Sequence, residues 1–302
     1  MLVNSALELI GNTPVLRVNN MTDENDGEVF IKLEKFNPGL SIKDRAALGM
    51  IEKAEKDGIL KSGSVIVEPT SGNTGIGIAL VGKLKGYKVV IVMPETMSKE
   101  RRDMIKAYGA ELVLTEGKKG MKGAIEMAEK LVKEKGYFMP QQFENKANPQ
   151  KHYETTAEEI LRDIPDIDVF VAGVGSGGTI VGVGRKLKEL KPDVKVVAVE
   201  PEKSPVLSGG NPGAHKIQGI GAGFVPGVYS KDIVDEIFEV SDEDSYKVAK
   251  EFATKEGVLI GISSGAALYA GIEIAKKLGR DKKIVVISPD GGEKYFSSGL
   301  YD

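Results

Sequence analysis

A chain of 302 residues is longer than one hydrophobic core usually fills, so two domains are expected. Its net charge of −3, spread over interspersed acids and bases, excludes the basic stripe of a nucleic-acid binder, and no apolar run is long enough to cross a bilayer. With no cysteine and only His152 and His215, the chain offers no disulfide, no thiolate metal site and too few histidines for an imidazole-based metal site.

The first eight residues lack a basic leader, so no secretory signal is read and the cytoplasm is the expected compartment. Residues 15–18 and 29–33 read as strands separated by a polar loop. The Asn-Pro-Gly turn at 37–39 breaks the chain. Ser41-Ile-Lys-Asp44 then has the spacing of a capping box, opening a helix with Ala46, Ala47, Met50, Ile51 and Ala54 on its apolar face and Gly58 at its end. Lys43 falls in the first turn of that helix.

From residue 64 onward strand and helix alternate. Apolar runs at 65–67, 89–92 and 112–114 suit strands buried on both faces, and helical patterns at 76–84, 98–108 and 121–135 supply the crossovers of a parallel sheet. Segment 136–148 crosses to a second series, with strands at 169–171, 194–199, 258–260 and 284–287 and helices at 179–190, 243–256 and 265–278. The Gly- and Pro-rich stretch 204–230 is too long for an ordinary connection and reads as a functional loop. The fold class is α/β.

Three strands of this scheme end in similar chemistry: Glu68-Pro-Thr-Ser-Gly-Asn-Thr-Gly75, Gly173-Val-Gly-Ser-Gly-Gly-Thr179 and Gly261-Ile-Ser-Ser-Gly265. Glycine and serine make tight strand-to-helix turns without any ligand. In open α/β sheets, however, ligands bind at the carboxyl ends of strands, and a glycine turn before a helix is a natural phosphate site. Gly173, Gly175 and Gly178 also satisfy GxGxxG, with Glu200 ending the next strand, so an NAD-dependent dehydrogenase is the alternative from another class. A GxSxG hydrolase is excluded because no histidine follows Ser263 to act as its base.

Lys43 adds a further chemistry. The positive end of a helix dipole favours the free amine of a lysine in the first turn, which Schiff-base chemistry requires. A phosphorylated aldehyde would use both such a lysine and a glycine turn.

In chain order, Asn37-Pro-Gly-Leu-Ser-Ile-Lys-Asp-Arg45, Glu68-Pro-Thr-Ser-Gly-Asn-Thr-Gly75, Gln141-Gln-Phe-Glu-Asn145, Gly175-Ser-Gly-Gly-Thr179, Lys216-Ile-Gln-Gly-Ile-Gly-Ala-Gly-Phe224 and Gly261-Ile-Ser-Ser-Gly265 resemble the cysteine synthases. These O-acetylserine sulfhydrylases are pyridoxal-phosphate enzymes of the tryptophan synthase β-like, or fold type II, family. The resemblance covers essentially the whole chain. It implies two domains, each a mostly parallel twisted sheet flanked by helices: a smaller, mobile, substrate-closing domain at 37–147, and a larger phosphate-binding domain made of 1–36 and 148–302.

For the site, the resemblance implies that Lys43 holds pyridoxal 5'-phosphate as a Schiff base and moves the α-proton. Gly175, Ser176, Gly177, Gly178 and Thr179 would form the phosphate cup, Asn73 would bond the cofactor's 3′ oxygen, and Ser263 would face the pyridine nitrogen. Thr70, Ser71, Gly72, Thr74 and Gln141 would receive the substrate carboxylate, with Gly219 near the substrate amine. The implied reaction is β-replacement of O-acetyl-L-serine by sulfide through an aminoacrylate to give L-cysteine. A homodimer and an ability to bind the C-terminal tail of serine acetyltransferase are implied as well. Asp44 and Ala157 depart toward a pattern also found in cystathionine β-synthases, which leaves that activity and an O-phosphoserine sulfhydrylase as same-fold alternatives.

Overall fold

The structure is a computed structural model that describes residues 2–302. Its main-chain contacts divide the chain into two compact units, Met1–Ile10 with Asn37–Asn148 and Gly11–Phe36 with Pro149–Asp302. The first residues thus group with the smaller unit rather than with the larger one, because Leu7 and Ile10 pack against the smaller unit's core.

Along the chain the strands are β1 (Val15–Arg17), β2 (Glu28–Leu33), β3 (Val65–Pro69), β4 (Lys88–Pro94), β5 (Glu111–Thr115), β6 (Val169–Gly173), β7 (Lys195–Pro201), β8 (Glu236–Val240) and β9 (Lys283–Ser288). The helices are α1 (Lys43–Lys56), α2 (Asn73–Leu84), α3 (Lys99–Ala107), α4 (Gly120–Lys135), α5 (Ala147–Lys151), α6 (Ala157–Asp163), α7 (Gly178–Leu190), α8 (Asp242–Glu256) and α9 (Ile262–Leu278).

In the smaller unit β3, β4 and β5 form a parallel sheet in that order. Successive side chains of a strand point to opposite faces, and here both faces are apolar. Ile66, Val89, Ile91 and Met93 pack with Ala47, Ile51, Ile76 and Ile105 of α1, α2 and α3, whereas Val67, Val90 and Val92 pack with Ala124 and Ala128 of α4. Phe138 extends the β3 edge through Val67 N–H to Phe138 O at 2.8 Å and Phe138 N–H to Val65 O at 2.9 Å.

The larger unit holds a sheet in the order β1-β2-β9-β6-β7-β8, parallel except for the β1–β2 pair. α9 lies on the face carrying Val286, where a Cβ on Gly271 would press against that side chain. α7 lies on the opposite face against Val196.

Three elements depart from the sequence pattern, the first being the helical run from α5 to α6, which the pattern omits. Residues 258–260 are no strand: Ile260 makes one isolated antiparallel bridge with Gly291, because β2 and β6 already occupy both edges of β9. β8 is a strand that the sequence does not announce, half-buried beside β7.

Candidate active site

Lys43 is the first residue of α1, and the turn that delivers it is tied down on several sides. Its N–H donates to Ser41 Oγ at 3.3 Å, and Tyr108 donates its hydroxyl to Pro38 O at 3.1 Å. The Asp44 carboxylate reaches back to the N–H of Gly39. The Ser41–Asp44 capping box is therefore not formed as the spacing suggests, since Ile42 is the cap and Asp44 serves the preceding loop. α2 packs so closely that a Cβ on Gly77 would lie 2.8 Å from Lys43 O, which clamps the Lys43 backbone.

The turn after β3 carries Thr70, Ser71 and Gly72 into α2, whose first residues are Asn73 and Thr74. Thr70 and Thr74 are buried and Ser71 is exposed. Thr74 donates its hydroxyl to Gln142 Oε1 at 2.7 Å, and the Gln142 carbonyl accepts from Asn148 Nδ2 at 3.0 Å. Of the two adjacent glutamines it is Gln142, not Gln141, whose side chain turns inward. Gln141 is exposed, with φ of +57°. Beneath this pair lies Glu68, 2 % exposed, whose carboxyl oxygens accept from the N–H groups of Gln141 at 3.1 Å and Gln142 at 3.4 Å. Burial pushes its carboxyl up to about 7, against the lowering effect of those two N–H groups.

In the larger unit β6 ends at Gly173 and α7 starts at Gly178. Gly177 caps the helix at φ of +86°, a region that glycine alone enters without strain. A Cβ on Gly175 would collide with the carbonyl oxygen of Gly219, so a side chain there would fill the cradle and push the loop away. Val181 N–H to Gly177 O at 3.1 Å is the bond that opens the helix. The N–H groups ahead of it form the positive end of the helix dipole, the donor set that a phosphate needs.

His152, buried in a π-helical turn spanning His152–Thr156, supports this end of α7. Its Nδ1 lies 2.9 Å from Thr156 Oγ1 and its Nε2 lies 3.4 Å from Thr179 Oγ1. Ser263 is buried in the first turn of α9, and its Oγ lies 3.5 Å from the point where a Cβ on Gly219 would stand. This helix follows a loop rather than a strand, so only two of the three glycine turns are strand-to-helix turns.

Glu200, the acid of the dinucleotide pattern, is engaged locally. It accepts from Leu207 N–H at 2.8 Å, Ser208 N–H at 2.9 Å and the Ser208 hydroxyl at 2.6 Å, anchoring the long loop that follows β7. Both of its carboxyl oxygens are thus already engaged within the chain.

The groups present fit pyridoxal phosphate: the smaller unit has a lysine at a helix start, and the larger has N–H groups at a helix N-terminus, in a turn where Gly175 and Gly177 leave no room or conformation for a side chain. Within the smaller unit the structure brings Thr74 to Gln142 and the α2 start close to Lys43. Within the larger it brings Gly175 to Gly219 and Gly219 to Ser263. Gln142, Glu68 and His152 were not among the residues that the sequence singled out for the site. A paired Gln-Gln and a histidine four residues before a threonine were the available signals.

The family model described as "Pyridoxal-phosphate dependent enzyme" matches residues 6–290. A cysteine synthase of Staphylococcus aureus is 55% identical over 301 residues, covering 99% of this chain and 97% of that one. The crystal structure of a cysteine synthase from Entamoeba histolytica superposes with a TM-score of 0.96 at 46% identity, covering 100% of this chain and 91% of that chain. A hydrogen sulfide-producing enzyme from Fusobacterium nucleatum gives a TM-score of 0.94 at 50% identity, covering 98% of each chain. With the lysine, the glycine cradle and these likenesses in agreement along nearly its full length, the chain belongs to the pyridoxal-phosphate dependent enzymes.

Proposed function

We propose that the protein makes L-cysteine from O-acetyl-L-serine and sulfide, releasing acetate. The observation that carries this reading is the near full-length identity of 55% to a cysteine synthase in a chain that keeps a lysine at the start of α1 and a glycine cradle at the start of α7.

Pyridoxal phosphate supplies a carbonyl that condenses with amines and a ring that draws electrons from the substrate Cα. Lys43 would hold it through its Nζ, and the same amine, when free, would take the substrate α-proton. The N–H groups at Gly175, Ser176, Gly177, Gly178 and Thr179 would bind the phosphate, and Asn73 would bond the 3′ oxygen. Ser263 would face the ring nitrogen with a neutral hydroxyl, which would not hold it protonated as a carboxylate would. Thr70, Ser71, Gly72 and Thr74 receive the substrate carboxylate with Gln142, which we assign in place of Gln141 because its amide meets Thr74. Gly219 lies near the substrate amine.

The test is the visible spectrum of the purified protein. The cofactor band should change on adding O-acetylserine and return on adding sulfide, and Lys43→Ala should lack the wild-type band. An unchanged band in Lys43→Ala would remove the lysine assignment.

The likeness to a hydrogen sulfide-producing enzyme favours a second reading, in which L-cysteine is the substrate and sulfide the leaving group. Sulfide release from cysteine alone, compared with cysteine formation, separates the two. The same proposal includes a cytoplasmic homodimer that binds the serine acetyltransferase C-terminal tail, to be checked by light scattering and by pull-down with that tail. Among the described residues no helix is long and apolar enough to cross a membrane.

A further inference from the structure

We propose that Glu68 is a positioning residue for substrate binding: its buried carboxylate holds the N–H groups of Gln141 and Gln142 and so sets the Gln142 amide against Thr74. The inference rests on the reading that Thr74 and Gln142 receive the substrate carboxylate.

The geometry makes Glu68 the link between two separate segments. Its own strand runs on through Pro69 into Thr70 and the start of α2. Its carboxyl oxygens reach across to Gln141 N at 3.1 Å and Gln142 N at 3.4 Å, just where the chain leaves its pairing with β3 at Phe138. Pro140 has no N–H to offer there, and Gln141 stands at φ of +57°, a conformation that a residue with a side chain keeps only when its surroundings hold it. The turn at Gln141 decides which glutamine points inward, and the Glu68 oxygens hold its N–H.

An acid is also the wrong sign for direct contact with a carboxylate substrate, and burying one is unfavourable unless its oxygens are bonded. Glu68 therefore acts through Gln142 and not on the substrate. Its titration near 7 is set by burial against the two N–H groups.

Two measurements on the holoenzyme test this. Glu68→Gln puts an amide that also carries N–H donors where two acceptors stood. The expected result is a KM for O-acetylserine raised about tenfold, with kcat within about threefold and the KM for sulfide and the cofactor band unchanged. An unchanged KM for O-acetylserine would overturn the inference. Should the variant fail to fold, the wild-type protein decides. The amide resonances of Gln141 and Gln142 should titrate together with a midpoint near the Glu68 value of about 7, and amides indifferent to pH in that range would overturn it equally. A wild-type protein inert toward O-acetylserine would instead strike down the proposed reaction, and the amide titration would still judge the Glu68 contact.

Discussion

The Thr74 hydroxyl donates to the Gln142 amide oxygen at 2.7 Å, while the adjacent Gln141 side chain is exposed. Two neighbouring residues of one type thus have opposite expected sensitivities. Gln142→Ala should raise the KM for O-acetylserine about tenfold, the loss of one hydrogen bond to a charged group, whereas Gln141→Ala should change it less than about twofold. Steady-state kinetics of both variants checks the assignment, and the reverse order would return the role to Gln141.

The buried carboxyl of Glu68 also makes stability depend on pH. Its pKa rises from 4.5 to about 7 on folding. Below about pH 4.5 both states hold the proton and the group is neutral in its effect. As pH rises toward 7 the unfolded chain releases the proton first, so stability falls and then levels off. The total is about 3 kcal/mol. Glu68→Gln cannot ionise and lacks this decline. Urea midpoints at about pH 5 and about pH 8 should therefore show the wild type losing ground to the variant as pH rises. A constant gap between the two proteins would contradict the burial effect.

With Thr179 in the phosphate cup proposed above, His152 would bear on the cofactor through its hydroxyl. Removing its imidazole takes away the partner at 3.4 Å from the Thr179 hydroxyl and opens a void beside α7. His152→Ala should weaken cofactor binding about fivefold, the worth of about one hydrogen bond, with the absorbance maximum unmoved because Lys43 is untouched. Equilibrium dialysis gives the affinity; equal affinity in both proteins would leave His152 with a packing role only.

A buried ion pair locks β2 to α6. Lys32 Nζ lies 2.9 Å from Glu159 Oε2 and also donates to Thr13 O at 2.9 Å, with the lysine side chain fully buried. Lys32→Met leaves a buried carboxylate without this cation and should cost about 3–5 kcal/mol, visible as a lower thermal midpoint. The double variant Lys32→Met, Glu159→Leu should recover most of the loss. A double variant as unstable as the single one would mean that the pair itself, and not the orphaned charge, carries the stability.

Much of the fold is written in apolar periodicity: α1 buries Ala46, Ala47, Met50, Ile51 and Ala54, and β4 alternates its side chains between two apolar layers. Lys43 is legible as a helix start because Asn-Pro-Gly interrupts the chain just before it. What stays hidden depends on tertiary geometry. The inward turn of Gln142 follows from the left-handed backbone at Gln141, which glutamine does not signal. The strand pattern at 258–260 fails because β9, the strand that leads to its bridge partner Gly291, is already paired on both sides by β2 and β6. The helix through His152 is masked by Pro149, which reads as a breaker yet sits in the first turn of α5, where its missing N–H goes unnoticed.

The π turn at His152–Thr156 changes the phase of its helix. Its wider loop holds one residue more than an α turn, and each residue of a helix advances the side-chain direction by about 100°. His152 stands at the entry to this dislocation and faces Thr179; Glu159 stands beyond it and faces Lys32. A single rod can thereby address the N-terminal end of α7 and the ion pair with β2 from two angular settings. Deleting one residue between 152 and 156 would restore a regular helix, and one of those two engagements would have to be given up.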